Sequence, residues 1–413
     1  MTVSIRGACP SLAAPMQTGD GLLVRLIPHE PIDIAKLCSL CTAAEEHGNG
    51  IIEITQRGSL QIRGLHEGSV RGFARSVASL EIGTAEGPPL VTSPLLGLDP
   101  DEPFDCTAFV SSVRTALHRL RPNLESLGPK VTVLIDAGGQ INLDAVSADI
   151  RLVATAGSLL QLSIAGNGRT ATHLGYVAND PGRATASVEN LLWYIANLGP
   201  AARAKDLTGD QEISKLRSTL CDSLIDGPAP KRRSCAETVG VHRLISGKVA
   251  RGFSLPFGHT TAGALRRFAR AAADNGAPCI RPAPGRCLLA IGLSPAAADR
   301  LCETAIAEDF IVDAHDLRRN VVACAGAPAC ACAELATREL APEIARAIRK
   351  WAGTRSIVHL SGCSKGCAHP GPAALTLVGP NRLIVNGRAS DAPQRTISSA
   401  GVIADIERLC SEL

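Results

Sequence analysis

Aromatic side chains are nearly missing from this chain: Phe, Trp and Tyr together make up 3% of its 413 residues. Surfaces that hold single-stranded nucleic acid stack bases on aromatic rings, so the scarcity argues against that class of function. Excess charge of one sign is missing too. A net charge of +3, from 42 basic and 39 acidic residues, makes no electrostatic footprint for a polyanion. The one basic run, Lys231-Arg-Arg233, follows Gly227-Pro-Ala-Pro230 and reads as a solvated linker. No stretch reaches the roughly 18 uninterrupted apolar residues that a membrane span needs. The opening MTVSIRGACPSLAAP has no charged segment followed by a long apolar run, as a secretory signal would. These absences lead to the expectation of a cytoplasmic protein with neither a nucleic-acid nor a membrane partner.

Cysteine, by contrast, is plentiful. Fifteen of them, an odd number and without a signal, imply reduced thiols rather than a disulfide framework. Four stand out as two pairs, Cys324-Ala-Gly-Ala-Pro-Ala-Cys330 and Cys363-Ser-Lys-Gly-Cys367, with about thirty residues between the pairs. That gap is long enough for a helix to leave and a strand to return. Four thiolates brought together hold a metal, and iron–sulfur clusters are commonly held by four cysteines. Zinc is the alternative, although zinc ligand pairs are usually spaced by two to four residues and the first gap here is five. Unrelated thiols are a second alternative in so cysteine-rich a chain, and Cys332 could be a spare. A helix from Glu334 to about Arg349, with Pro342 as a potential kink, would direct its N-terminal dipole at an anionic centre.

The chain reads as two copies of one pattern. In the first, strand Gly21–Ile27 precedes a helix from Ile32 to Glu46 with Ile34, Leu37, Cys38 and Cys41 on one face. Gly48 and Gly50 end that helix, and strands Ile51–Thr55 and Ser59–Leu65 follow. In the second, strand Lys248–Leu255 precedes a helix Thr261–Asp274 with Leu265, Phe268, Ala269 and Ala272 on one face, and strand Cys287–Leu293 follows. The repeat disposes of Cys38-Ser-Leu-Cys41 as a metal motif, because it lies on an apolar helix face and the matching helix has no cysteine. Gly166-Asn-Gly-Arg-Thr-Ala171 loosely fits a dinucleotide fingerprint but lacks the helix such a site opens, so it reads as a hairpin turn.

The paired C-x5-C and C-x3-C spacing resembles the cluster motif of the sulfite and nitrite reductase superfamily, which binds a [4Fe–4S] cluster beside a tetrapyrrole. The resemblance sharpens at His359-Leu-Ser-Gly-Cys-Ser-Lys-Gly-Cys-Ala-His-Pro370, Arg6-Gly-Ala-Cys-Pro-Ser-Leu12 and Pro15-Met-Gln-Thr-Gly-Asp-Gly-Leu-Leu-Val-Arg25. These segments are similar to the oxygen-dependent branch, the precorrin-3B synthases of cobalamin biosynthesis, and the likeness covers nearly the whole chain. It implies an α+β fold in which paired ferredoxin-like units and two larger α+β units surround a tetrapyrrole and [4Fe–4S] site. The expected boundaries are an arm and first ferredoxin-like unit over 1–82, a first large unit over 83–223 and a linker over 224–235. A second ferredoxin-like unit over 236–304 and the cluster-bearing large unit over 305–413 complete the order. Cys324, Cys330, Cys363 and Cys367 are the implied cluster ligands.

Thr55-Gln-Arg57, followed by Gln61-Ile-Arg63, resembles the family's Thr-Thr-Arg segment, which carries Arg57 over as a catalytic and substrate-binding candidate. Leu127-Gly-Pro-Lys130 resembles the segment that supplies lysines, which carries over Lys130 in the same roles. Two basic residues of the reductases are absent. Thr132 stands where they have a second lysine, and Gly87–Ser93 carries no base where they have an arginine, although the second copy keeps Arg318-Arg-Asn320. Gripping a small anion and feeding it protons needs those bases, so the departure favours the synthase over a sirohaem-dependent sulfite or nitrite reductase. A precorrin carries many carboxylates, which guanidinium groups hold in fixed forks. Arg6, Arg25, Arg63 and Lys365 are therefore candidate contributors to substrate binding. The branch has been linked to a mononuclear non-haem iron. Such sites often use two histidines and a carboxylate, but its ligands stay unassigned here, with His359 and His369 nearest the cluster loop. The implied reaction takes precorrin-3A, O2 and electrons from an external donor, hydroxylates the macrocycle at the meso position between rings A and D, and closes a lactone. A non-catalytic iron–sulfur electron carrier is the remaining alternative, and it would have little use for two large units enclosing a cavity.

Overall fold

The computed structural model describes residues 10–83, 87–120, 126–348, 357–397, 401, 403–406 and 408. Both copies of the repeat are present. The first contains β1 (Met16–Thr18), β2 (Gly21–Leu26), β3 (Ile32–Asp33), α1 (Ile34–His47), β4 (Ile51–Ile54), β5 (Leu60–Leu65) and α2 (Val70–Ser79). A larger unit follows with β6 (Leu90–Thr92), α3 (Thr107–Leu120), β7 (Val133–Asp136), β8 (Ala148–Thr155), β9 (Leu159–Gly166), β10 (Thr172–Ala178), α4 (Pro181–Asn197), α5 (Asp210–Thr219) and β11 (Leu224–Ile225). The second copy contains β12 (Gly240–Arg243), β13 (Val249–Ser254), β14 (His259–Thr261), α6 (Ala262–Asp274), β15 (Cys279–Ala283), β16 (Cys287–Leu293) and α7 (Pro295–Ala307). Its larger unit has β17 (Val321–Ala323), α8 (Thr337–Ala347), β18 (Val358–Ser361), β19 (Ala373–Val378), β20 (Arg382–Gly387) and β21 (Arg395–Thr396).

The two small sheets exchange edge strands. The first runs β1-β2-β5-β4-β14 and the second β12-β13-β16-β15-β3, so each takes its last strand from the other copy. This exchange moves a helix start. Periodicity places the first helix from Ile32, but Ile32 and Asp33 pair with Ile280 and Cys279 of β15. The helix then begins at Ile34, where the Asp33 carboxylate accepts from the backbone N–H groups of Ala35 and Lys36, a standard N-cap. Thr261 caps α6 in the matching place through Ala264 N–H. Helices α1 and α6 pack between the sheets, and one apolar core holds Leu37, Leu40, Ile52 and Ile62 together with Leu265, Phe268, Ile280 and Leu288. Cys41 is fully buried and Cys38 half-buried there, as core residues rather than ligands.

The large units also match each other. β6-β7-β8 and β17-β18-β19 pair in parallel, and each sheet continues antiparallel through its later strands. The turn after Gly166 joins antiparallel β9 and β10, so it is a hairpin. Within the described residues no helix is long and apolar enough to cross a membrane.

The 224–235 segment is exposed over 226–232, as a solvated linker would be, but it is anchored at several points. Leu224–Ile225 pairs with β10, and Tyr176 and Asn142 side chains donate to the carbonyls of Pro228 and Ser234. Arg233 is tied down rather than free: it bridges Asp144 at 2.9 Å and fully buried Asp136 at 2.5 Å. Burial alone would lower this guanidinium, but the two carboxylates together hold it well above its usual range. Partners about ninety residues upstream were not visible in the run Lys231-Arg-Arg233.

Candidate metal centre

The two cysteine loops meet because their parent strands are parallel neighbours. Val321, Val322 and Ala323 of β17 pair with Val358, His359 and Leu360 of β18, so Cys324 and the Gly362–Cys363 turn leave from the same sheet end. Ligands of open α/β sheets bind outside such carboxyl ends. The Cys324 N–H donates to Leu360 O at 3.1 Å, and Gly362 N–H donates to Cys324 Sγ at 3.2 Å. Thr337, at the first turn of α8, donates its hydroxyl to Cys324 O at 2.7 Å. The helix therefore begins against the centre, three residues later than the Glu334 start expected from the sequence, because Glu334 N–H is drawn to Gly362 O. Gly326, at φ 66°, is needed as glycine: a Cβ there would lie 2.4 Å from Thr337 Oγ1 and 2.6 Å from its backbone nitrogen. Gly362 is equally tight, its would-be Cβ 2.4 Å from Ala333 Cβ.

Burial pushes the Cys367 thiol up, and Cys363, Cys324 and Cys330 push it further by like-charge repulsion, while Lys365 pulls the other way. The four thiols of the two motifs thus share one electrostatic neighbourhood. Four thiolates in one place repel unless a cationic centre draws them together, and this donor set suits an iron–sulfur cluster. Among the described residues no three His, Cys, Asp or Glu side chains close on a single-ion position, and none is assembled as a mononuclear iron site. A cubane takes its ligands at separate corners and does not require that convergence. Cys367 and Lys365 are exposed on the second loop, whereas Cys324, Cys330 and Cys363 are half-buried.

Behind that loop lie three residues not assigned from sequence to the substrate. His359 is fully buried and neither ring nitrogen has a hydrogen-bond partner among the described residues. Burial, with some help from the charges of His369 and Arg286, pushes its pKa down to about 4. The His369 ring stands edge-on, 5.7 Å away, with Nε2 3.2 Å from Pro372 O. Arg286 donates to Ala368 O at 3.2 Å, and burial lowers it to about 10. Arg286 sits where the repeat places Arg57, and the hairpin tips of the two copies touch: Gly285 N–H donates to Gln56 O at 3.1 Å. The repeat was the signal that could have found it.

The basic residues expected at the substrate fall into different settings. Arg57 is exposed and donates to Ser147 O of the first large unit at 3.1 Å. Lys130 is exposed, and its carbonyl accepts from the Thr132 hydroxyl. Thr132 itself is buried, with its N–H on Asp149. Arg25 is shared with the Gln61 amide, which also meets Glu53. Arg63 has partners that its sequence context did not reveal: it is 4% exposed, and its guanidinium grips Asp20 in a fork and donates to Ala329 O. Arg318 and Arg319 are bound by Asp316 with Asp309 and by Glu237, respectively. Arg6 lies outside the described residues. A cavity of about 810 Å³ between the 97–105 loop and the 243–249 hairpin contains none of these residues.

Fold and centre together define a two-copy protein of the nitrite and sulfite reductase kind, with a paired-cysteine centre at the carboxyl end of a parallel strand pair. Residues 14–80 match the nitrite/sulfite reductase ferredoxin-like half domain. A precorrin-3B synthase from Sinorhizobium sp. is 38% identical over 412 residues, covering 98% of this chain and 88% of that protein. The chain belongs to the precorrin-3B synthase family. Sulfite reductases (ferredoxin) of Mycobacterium tuberculosis and Mycobacterium bovis are 31% identical over 180 residues, which is 40% of this chain and 32% of theirs. The structure of Mycobacterium tuberculosis NirA protein superposes with a TM-score of 0.79 at 22% identity, covering 95% of this chain and 80% of that one, a likeness of fold.

Proposed function

We propose that this protein is a cytoplasmic oxidoreductase of cobalamin biosynthesis that converts precorrin-3A to precorrin-3B. The observation that carries this reading is the 38% identity to a precorrin-3B synthase across 98% of the chain. In this reading Cys324, Cys330, Cys363 and Cys367 hold a [4Fe–4S] cluster, and the macrocycle lies over the loop that exposes Cys367 and Lys365. When bound, the cluster supplies electrons one at a time. The chain's own work is to orient the ring. Arg57 offers a planar fork to a substrate carboxylate, while Lys130 and Lys365 offer exposed point charges. One oxygen atom of O2 enters the meso carbon and the other leaves as water, at the expense of two electrons from an external donor. Burial of Thr132, where the reductases have a lysine, fits a site not built around a small anion.

The test is incubation of anaerobically purified protein with precorrin-3A, a chemical reductant and labelled O2, followed by mass spectrometry. Label in the product is the expected result. Efficient conversion in strict anaerobiosis would sink the oxygenase reading, and sirohaem bands in the absorption spectrum would move the protein to the reductases.

A further inference from the structure

Ala329, the residue before Cys330, has its carbonyl held by two donors from the far end of the chain. Arg63 Nη2 donates to it at 2.7 Å and Gly19 N–H at 3.1 Å. Gly19 is packed so tightly there that a Cβ would lie 2.5 Å from Pro328 O and 2.9 Å from the Cys330 carbonyl carbon. Arg63 is fixed in turn. Its Nε and Nη2 meet the two Asp20 oxygens at 2.9 and 2.7 Å, and Nη1 lies 3.5 Å from Glu53. Asp20 also accepts from Thr18 and Asn49, and Glu53 pairs with Arg338 of α8. A guanidinium that is 4% exposed, with donors committed on three sides, is poorly placed to take up a substrate carboxylate.

We infer that Arg63 is a positioning residue for the metal centre: it fixes the Cys330 loop against the first ferredoxin-like unit and sets a buried positive charge beside the cluster. The inference rests on the reading that the four cysteines hold a cluster. Outer partners orient metal ligands, and losing one typically costs ten- to a hundredfold in metal affinity or activity. Net charge and burial are among the levers on a cluster's potential.

The experiment compares substrate-free, anaerobically assembled wild type with Arg63→Gln, Arg63→Lys and Asp20→Asn. It reads iron and sulfide content, the rate of cluster loss to a chelator and the midpoint potential by spectroscopic titration. Arg63→Gln should lose cluster roughly tenfold faster and have a lower potential, because Asp20 loses its cation while Glu53 keeps only Arg338. Arg63→Lys should restore the potential but not the loss rate, since an ammonium lacks the fork. Asp20→Asn should move the potential the opposite way, upward, a sign reversal that general loosening of the fold would not produce. It also serves if the Arg63 variants fail to fold. Wild-type potential and loss rate in Arg63→Gln, or a downward shift in Asp20→Asn, overturns the inference. A rise in KM for the precorrin alone in Arg63→Gln would return Arg63 to the substrate and likewise overturn it. Wild type without iron and sulfide would overturn the cluster reading, and this inference with it.

Discussion

The two ferredoxin-like sheets turn the same inner face to a shared core, yet their outer faces differ: the second copy's is mostly apolar, with one buried arginine, Arg281, donating to Thr92 of the first large unit at 2.9 Å, and the first copy's is charged. The second copy presents Ala250, Ala283, Cys287, Leu289 and Ile291 to Leu95 and Ile141 of the first large unit, in a small apolar cluster. The first copy presents Arg25, Glu53, Gln61 and Arg63, with its own Asp20, to the cysteine-bearing unit, where Arg338 and Ala329 O meet them. Apolar burial contributes about 25 cal/mol per Å² and asks only for fit. A partly buried ion network gains little net stability over a well-packed apolar one, so stability is a weak reason for the first copy to keep it. What the network adds is direction: it holds one carbonyl of one cysteine loop at a defined place.

Cysteines on the two faces separate those roles most sharply. Cys330→Ser should abolish or severely reduce iron and acid-labile sulfide, while Cys287→Ala on the apolar face should leave both intact and cost about 1 kcal/mol of stability. Normal iron in Cys330→Ser would end the assignment of the centre. Next in size is Leu289→Ala, fully buried on the apolar face. Urea unfolding should show a loss of about 2–5 kcal/mol, with wild-type iron per folded molecule; iron loss in step with stability would mean that the two faces do the same job.

The hairpin tips extend the comparison to activity. Arg57→Ala removes an exposed arginine beside the first large unit, and a charge-assisted contact is worth about 1.5–3 kcal/mol. The variant should therefore lose roughly tenfold to somewhat over a hundredfold in kcat/KM, with cluster content unchanged. Exposed Lys231→Ala is the silent control; Arg233→Ala cannot serve, because it would strand Asp136 and Asp144. Wild-type kinetics for Arg57→Ala at limiting precorrin would place the substrate elsewhere. The smallest effect is a pH dependence of the charged face. Burial raises the Asp20 carboxyl, but the Arg63 hydrogen bonds and charge, with the Thr18 hydroxyl, outweigh it and hold the group below its ordinary 3.8. Its stabilisation is complete above that value and is lost as pH falls through the lower native pKa. The stability gap between wild type and Asp20→Asn should thus shrink on acidification below about pH 4, and a gap that stays constant would show that Asp20 does not titrate with folding.

What was legible beforehand was whatever consecutive residues encode. The i, i+3, i+4 periodicity around Leu37 and Leu265 identified the paired helices, and the order of elements identified the two copies. The spacing Cys324–Cys330 and Cys363–Cys367 singled out the two loops that the structure brings to one end of the β17–β18 pair. Chain-local signals could not tell Ile32–Asp33 as the start of a helix from Ile32–Asp33 as an edge strand, since the deciding partner, β15, comes nearly 250 residues later. Nor could they tell a solvated Arg233 from one bridging Asp136 and Asp144, or a substrate-facing Arg63 from one clamping Ala329, 266 residues away. An arginine carries the same charge in every setting. Its role depends on which carboxylate or carbonyl the fold brings within hydrogen-bond reach, and in this protein only the tertiary structure made that choice.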